Sequence, residues 1–217
     1  MTAAPSATTR DRVPPGQIVT RNWPVLHAGS VPRALTPASY TLELHGAVET
    51  PTTLSFADLL GLPQREISCD IHCVTSWSRL GMRWGGVPFA AIESLARPKS
   101  DVQFVVMECE QGFTTSLPIG ALRDDDVLVA HSADGQPLSA DHGGPVRMLV
   151  PKRYFYKSAK WLRGLRFVVE DEPGFWEVRG YSNIADPWRE TRYDVDDRRE
   201  IYRMRKESLF RPIEPPR

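Results

Sequence analysis

Three short stretches of the chain gather residue types that hold metals or oxyanions. The segment ISCDIHCVTSW, residues 67–77, brings Cys69, His72 and Cys73 close together. Thiolate and imidazole are soft-metal ligands. A tetrahedral zinc site would need two cysteine pairs or further histidines at matching spacing, and the one other cysteine is Cys109. A cysteine nucleophile served by His72 meets a geometric objection, because adjacent side chains on a strand point to opposite faces. Unpaired cysteines also fill cores as small apolar residues. On local grounds these readings stay open.

The second stretch, DHGGPVRMLVP at residues 141–151, leads His142, a glycine pair and Arg147 into an apolar strand. Glycines there let a ligand approach the backbone, and His142 and Arg147 are donors for a polar or phosphorylated group. A hairpin entrance with a solvated arginine has the same pattern. The third stretch, KSAKWL at residues 157–162, sets Ser158 and Ala159 between two lysines. Backbone N–H groups and the Lys160 ammonium suit a phosphate, although a solvated helical turn reads alike.

Elements must position these groups. Tyr40, Leu42 and Leu44 alternate with polar residues as a half-buried strand closed by Gly46. Ser55 caps a short helix through Leu60 that Gly61 and Pro63 end. Pro88 opens a second helix to about Ala96. Further strands are expected over residues 101–109, 127–131, 146–150 and 165–169, with a turn at Asp134-Gly135. Strands and short helices intermingle, so the fold class is α+β with mixed β-sheets and short helices. No glycine-rich phosphate loop follows a strand, which excludes a Rossmann or P-loop site.

With 217 residues, 41% hydrophobic and 25% charged, the chain suits one soluble domain. Net charge is zero, giving no electrostatic support to a nucleic-acid partner, and no apolar run approaches the ~20 residues of a membrane span. Arginine far outnumbers lysine, a bias toward bidentate oxyanion binding. Three cysteines are too few for a disulfide framework and favour a reducing compartment. Residues 1–17 read as a flexible leader without a signal peptide, 18–193 as the domain and 194–217 as a charged extension. The cytoplasm is the expected location.

Taken in order, these segments resemble the sulfite-oxidase family of molybdopterin-dependent oxidoreductases, over about residues 21–193. VTRNWPV at residues 19–25 is similar to the family's Arg-Asn-His segment, with Trp23 in place of the histidine. Cys73 falls at the metal-ligating cysteine, DHGGPVRMLVP at the pterin-binding stretch and SAKWL at the phosphate-binding turn. Residues 176–181 resemble the segment of the active-site tyrosine, and YSNIADPW at 181–188 the small bacterial members without haem. The arginine pair that follows the cysteine in animal sulfite oxidases is missing; Arg79 and Arg83 are the nearest substitutes. Glu108, near a cofactor-binding threonine of periplasmic relatives, is left out of the site because a carboxylate repels phosphate.

The resemblance implies the sulfite-oxidase, molybdopterin-binding fold and a mononuclear molybdenum–molybdopterin cofactor. The metal would be held by two dithiolene sulfurs, oxo groups and Cys73. Asn22, His142, Arg147, Ser158, Ala159 and Lys160 would bind the pterin and its phosphate. Arg21 and Tyr181 would stand beside the oxo group as catalytic residues. The implied activity is two-electron oxygen-atom transfer on a small sulfur oxyanion such as sulfite. Alternatives are an S-oxide or N-oxide reductase related to methionine-sulfoxide reductases and a non-catalytic pterin-binding protein. The fused haem domain of animal sulfite oxidases is not matched, so a separate electron-transfer partner is expected.

Overall fold

A computed structural model describes residues 9–197. Residues 1–8 of the expected leader and 198–217 of the charged extension lie outside that range. Two mixed sheets make up the α+β architecture. The first holds β1 (Ile18–Val19), β4 (Arg65–His72), β5 (Trp77–Pro88), β8 (Leu128–Ala133), β9 (Gln136–Pro137) and β10 (Arg147–Leu149). The second runs in the order β3 (Thr52–Ser55), β2 (Thr41–Gly46), β11 (Leu162–Val168), β6 (Phe104–Cys109), β7 (Thr114–Pro118). Strand β1 is parallel to β5 and β11 is parallel to β2, while the other pairings are antiparallel.

The first sheet is covered on both faces, and the alternation along its strands shows how. Val129 packs into the main core between the sheets, with Val87, Leu44, Met107 and Phe167. Its neighbours Leu128 and Ala130 face the other way, into a smaller cluster with Ile71, Met82, Trp84, Leu149 and Phe155. A period of two thus divides one strand between two cores. Trp84 and Phe155, each worth about 2–3 kcal/mol when fully buried, anchor the second cluster. That cluster forms the floor on which the site is built. Gly86 lets β5 and β8 approach closely, since a Cβ there would sit 2.4 Å from the Val129 carbonyl oxygen.

Helices are short: α1 (Phe56–Gly61), α2 (Phe89–Ala96) and α3 (Ile119–Leu122). Ser55 caps α1 as its position suggests, its Oγ accepting from Asp58 N at 3.1 Å while the Asp58 carboxylate accepts from Ser55 N at 2.8 Å. The turn after β8 holds Asp134 at φ 50° and Gly135 at φ 77°, the left-handed pair that a two-residue hairpin demands.

Residues 9–17, the end of the expected leader, pack against the first sheet. Arg12 Nε donates to Asp70 at 2.9 Å, Pro14 is buried, and Gln17 Nε2 donates to the Cys73 carbonyl at 3.1 Å. These polar contacts span more than fifty positions of the sequence.

Candidate active site

Cys73 stands on the turn between β4 and β5, and the turn determines where its sulfur points. Cys73 N donates to Trp77 O at 2.8 Å and Ser76 N to Cys73 O at 3.0 Å, with Ser76 held at φ 71°. His72 and Cys73 diverge, as strand geometry requires. The His72 ring meets Ser78 Oγ at 2.8 Å and the edge of Trp188 at 6.2 Å. Cys73 lines a cavity of about 420 Å³, within the range of small-molecule sites. Thr75 Oγ1 donates to it at 3.1 Å. Burial pushes the thiol pKa up, opposed by the Thr75 hydrogen bond and the charge of Arg192.

The same cavity is lined by Arg147, Ser158, Ala159, Lys160 and Tyr181. Arg147 begins β10, where the chain emerges from Gly144-Pro145, and its side chain is fully buried. Its guanidinium donates to His142 O at 2.8 Å, Ser158 O at 2.5 Å and Met148 O at 3.3 Å, and lies 4.2 Å from the Phe155 ring centroid. All three acceptors are carbonyls; among the described residues no carboxylate pairs with it. Burial pushes this guanidinium down to about 9. Lys160 Nζ donates to Asp141 O at 2.6 Å, and burial with the nearby Arg147 charge pushes it down to about 7. Two buried cations in one cavity, neither hydrogen-bonded to a carboxylate among the described residues, are costly. A bound anion removes that cost.

Of the predicted binding residues, His142 does not itself line the cavity; its ring stacks on the lining Trp23, with centroids 3.7 Å apart and planes 8° from parallel. Its Nδ1 is buried without a partner, and burial with Lys160 and Arg147 pushes it down to about 4, so it is a neutral imidazole. Trp77 Nε1 is also buried and unpartnered. Ser158 Oγ accepts from Val150 N at 2.9 Å, and its carbonyl accepts from Arg147. Ser158 therefore shapes the turn while Lys160 supplies its charge. The outer wall is aromatic: Trp176 lies 5.1 Å from Tyr181, which lies 5.8 Å from Tyr156.

Arg21 and Asn22 are exposed and do not line the cavity, although Trp23 does. Arg79 pairs with Asp134 at 2.6 Å and lies 5.7 Å from the Trp23 ring; neither it nor Arg83 lines the cavity. Glu108 is held by His45 at 2.9 Å and Arg166 at 2.7 Å on the second sheet, outside the cavity lining. The wall residues Trp77, Phe155, Trp161 and Trp176 were given no role of their own in the sequence. Thr75 had a signal: a hydroxyl two residues after a cysteine is in reach of its sulfur.

Lys157 is buried behind the cavity. It pairs with Glu177 at 2.5 Å and donates to Ser116 O at 2.9 Å and Asn183 Oδ1 at 3.0 Å. This network ties the segment carrying Tyr181 to β7.

The donor set tests which group fits. Among the described residues no cluster of three or more His, Cys, Asp or Glu could hold a metal alone. One cysteine sharing its cavity with two buried cations and with an indole N–H that has no partner among the described residues suits a metal whose other ligands come from an anionic organic group. The residues present fit a molybdopterin carrying molybdenum.

Comparison with known proteins agrees. A family model described as an oxidoreductase molybdopterin binding domain matches residues 28–176. The chain is 44% identical over 185 residues to an uncharacterized oxidoreductase, YuiH, of Bacillus subtilis, covering 85% of this chain and 93% of that protein. It is 30% identical over 171 residues to a putative protein-methionine-sulfoxide reductase subunit, YedZ1, of Azospira oryzae, covering 77% of this chain and 64% of that protein. Among solved structures, the sulfane dehydrogenase SoxCD of Paracoccus pantotrophus shares the fold, with a TM-score of 0.60 and 24% identity over 67% of this chain and 41% of that one.

Proposed function

This chain belongs to the molybdopterin-binding oxidoreductase family, and we propose that it transfers an oxygen atom from a small uncharged S-oxide or N-oxide, with Cys73 as the protein's ligand to molybdenum. When bound, the molybdenum cofactor supplies a two-electron redox centre for oxygen-atom transfer. In the net change a sulfoxide, two electrons and two protons become the corresponding sulfide and one water, the electrons coming from a separate redox partner.

The charge of the cavity wall carries the substrate reading. Among the described residues its lining cations are Arg147 and Lys160, both largely buried, and its one lining carboxylate is Glu110. Once the cofactor's phosphate engages those cations, the remaining wall is mainly aromatic and aliphatic, with Leu26, Phe113, Phe175, Trp176 and Tyr181. A doubly charged oxyanion entering there would lose hydration without gaining a counter-charge. An uncharged oxide loses little. The methionine-sulfoxide-reductase relative points the same way.

Each residue then has a task. Arg147 and Lys160 hold the anionic end of the cofactor, Arg147 as a rigid fork and Lys160 as a point charge. His142 backs the cavity-lining Trp23 by stacking on it, and Ser158 and Ala159 would shape the turn around the phosphate. The Tyr181 hydroxyl donates to the substrate oxygen, and the aromatic wall excludes water. Arg21 and Asn22 are exposed and precede the cavity-lining Trp23 in the chain. The three free thiols support a reducing compartment such as the cytoplasm, and no described helix is long and apolar enough to cross a membrane.

A second reading, oxidation of a sulfur oxyanion such as sulfite, is favoured by one observation. Arg21 is exposed two positions before the cavity-lining Trp23, where it could meet an incoming anion. The two readings separate in one experiment on protein purified from a host that makes the cofactor. Reduced viologen should be consumed with dimethyl sulfoxide, methionine sulfoxide or trimethylamine N-oxide. Sulfite-driven reduction of an acceptor, lost in Arg21→Gln, would instead establish the second reading.

A further inference from the structure

Side chains from opposite ends of the chain donate to two carbonyls of the 73–77 turn. Gln17 Nε2 donates to Cys73 O at 3.1 Å, and Arg192 Nη1 donates to Val74 O at 2.6 Å. Gln17 is itself fixed, its Oε1 accepting from Ser78 Oγ at 3.3 Å. The Arg192 guanidinium lies 5.0 Å from the Tyr154 ring centroid with its side chain 14% exposed. Its backbone is anchored as well, with Ser182 N donating to Arg192 O at 3.0 Å. Arg192 Nη2 also reaches Gly16 O at 3.5 Å, so the two clamping segments meet. Glu190 pairs with the guanidinium at 3.7 Å, but its side chain is 47% exposed and the pairing is screened by solvent. Both clamping residues fall outside the 28–176 stretch that defines the family match.

We infer that Gln17 and Arg192 are positioning residues for the cysteine ligand: together they fix the 73–77 turn, and the Arg192 charge raises the reduction potential of the metal that Cys73 holds. The inference rests on the reading of Cys73 as that ligand. A thiolate's orientation and the charge beside it both tune a bound metal. A fixed positive charge stabilises the more electron-rich, reduced state, so removing it lowers the potential. Arginine also supplies geometry, because its planar fork sets the Val74 carbonyl in a way that a lysine ammonium does not.

The test uses the loaded enzyme and reads metal content, the thiolate-to-metal absorption and the midpoint potential by spectroelectrochemical titration. Arg192→Gln should keep its molybdenum while its midpoint potential shifts negative and its absorption band moves. Arg192→Lys should bring the potential back toward wild type but leave the band displaced. Gln17→Ala should displace the band with the potential near wild type. Wild-type potential and band in both Arg192 variants would overturn the inference. If Arg192→Gln fails to fold, an undisplaced band in both Arg192→Lys and Gln17→Ala overturns it. A Cys73→Ser protein that kept the wild-type band would sink the ligand reading itself, a separate failure.

Discussion

Replacing Lys160 with methionine removes one of the two cations buried in the cavity, and its effect on stability varies with pH in a direction that the structure dictates. Burial and the Arg147 charge push Lys160 from 10.5 down to about 7 in the cofactor-free fold. Below pH 7 the amine is charged in both folded and unfolded chains, and the full cost of burying that charge is present. Above its ordinary pKa it is neutral in both, and the cost is gone. Between those limits the unfolded chain binds more protons, so stability rises with pH. The full slope is about 1.4 kcal/mol per pH unit, and partial exposure to solvent halves it to about 0.7. Between pH 7 and about pH 9.5, cofactor-free wild type should therefore gain roughly 2 kcal/mol over Lys160→Met. Urea unfolding of both proteins, prepared in a host unable to make the cofactor, measures this difference directly. In loaded protein the slope should vanish, because the bound anion restores an ordinary lysine. A difference independent of pH in the cofactor-free pair would refute the argument, showing that Lys160 is solvated and unaffected by Arg147.

Arg147→Met should lower metal content at least tenfold, about 1.4 kcal/mol or more of lost cofactor binding. Its cofactor-free stability in urea should change by less than about 2 kcal/mol, because an uncompensated buried charge leaves with it. Lys157→Met strands the Glu177 carboxylate and should cost about 3–5 kcal/mol of unfolding free energy, most of it recovered in the Lys157→Met/Glu177→Gln double variant. Gly86→Ala forces a methyl group against Val129 O and should cost about 2 kcal/mol or more, read as a lowered thermal midpoint.

Local pattern made part of the fold legible. The alternation at residues 40–44 marked β2, Ser55 marked the start of α1, and the apolar run FVVM marked β6. The two long strands β4 and β5 were hidden. Their residues mix Arg, Asp, Ser and Gly with apolar ones, and a register shift between Cys69 and Ile71 breaks the alternation. Strand β7, TTSLP, is too short and polar to announce itself, although Thr115 and Ser116 are fully buried. At the site, local pattern left the readings open; the family resemblance singled out Cys73, Arg147 and Lys160, which the fold brings to one cavity. Gln17 and Arg192 were not readable, because each acts through a carbonyl more than fifty positions away. The aromatic wall was equally opaque, since only packing separates a lining tryptophan from a core one.

The metal's own sulfur count addresses the central claim most directly. X-ray absorption at the molybdenum edge, on wild type and Cys73→Ser purified from a host that makes the cofactor, should show two dithiolene sulfurs plus one further sulfur in wild type. In the variant the count should fall by one, with molybdenum still bound through the cavity that Arg147 and Lys160 line. An unchanged sulfur shell in Cys73→Ser would contradict the account.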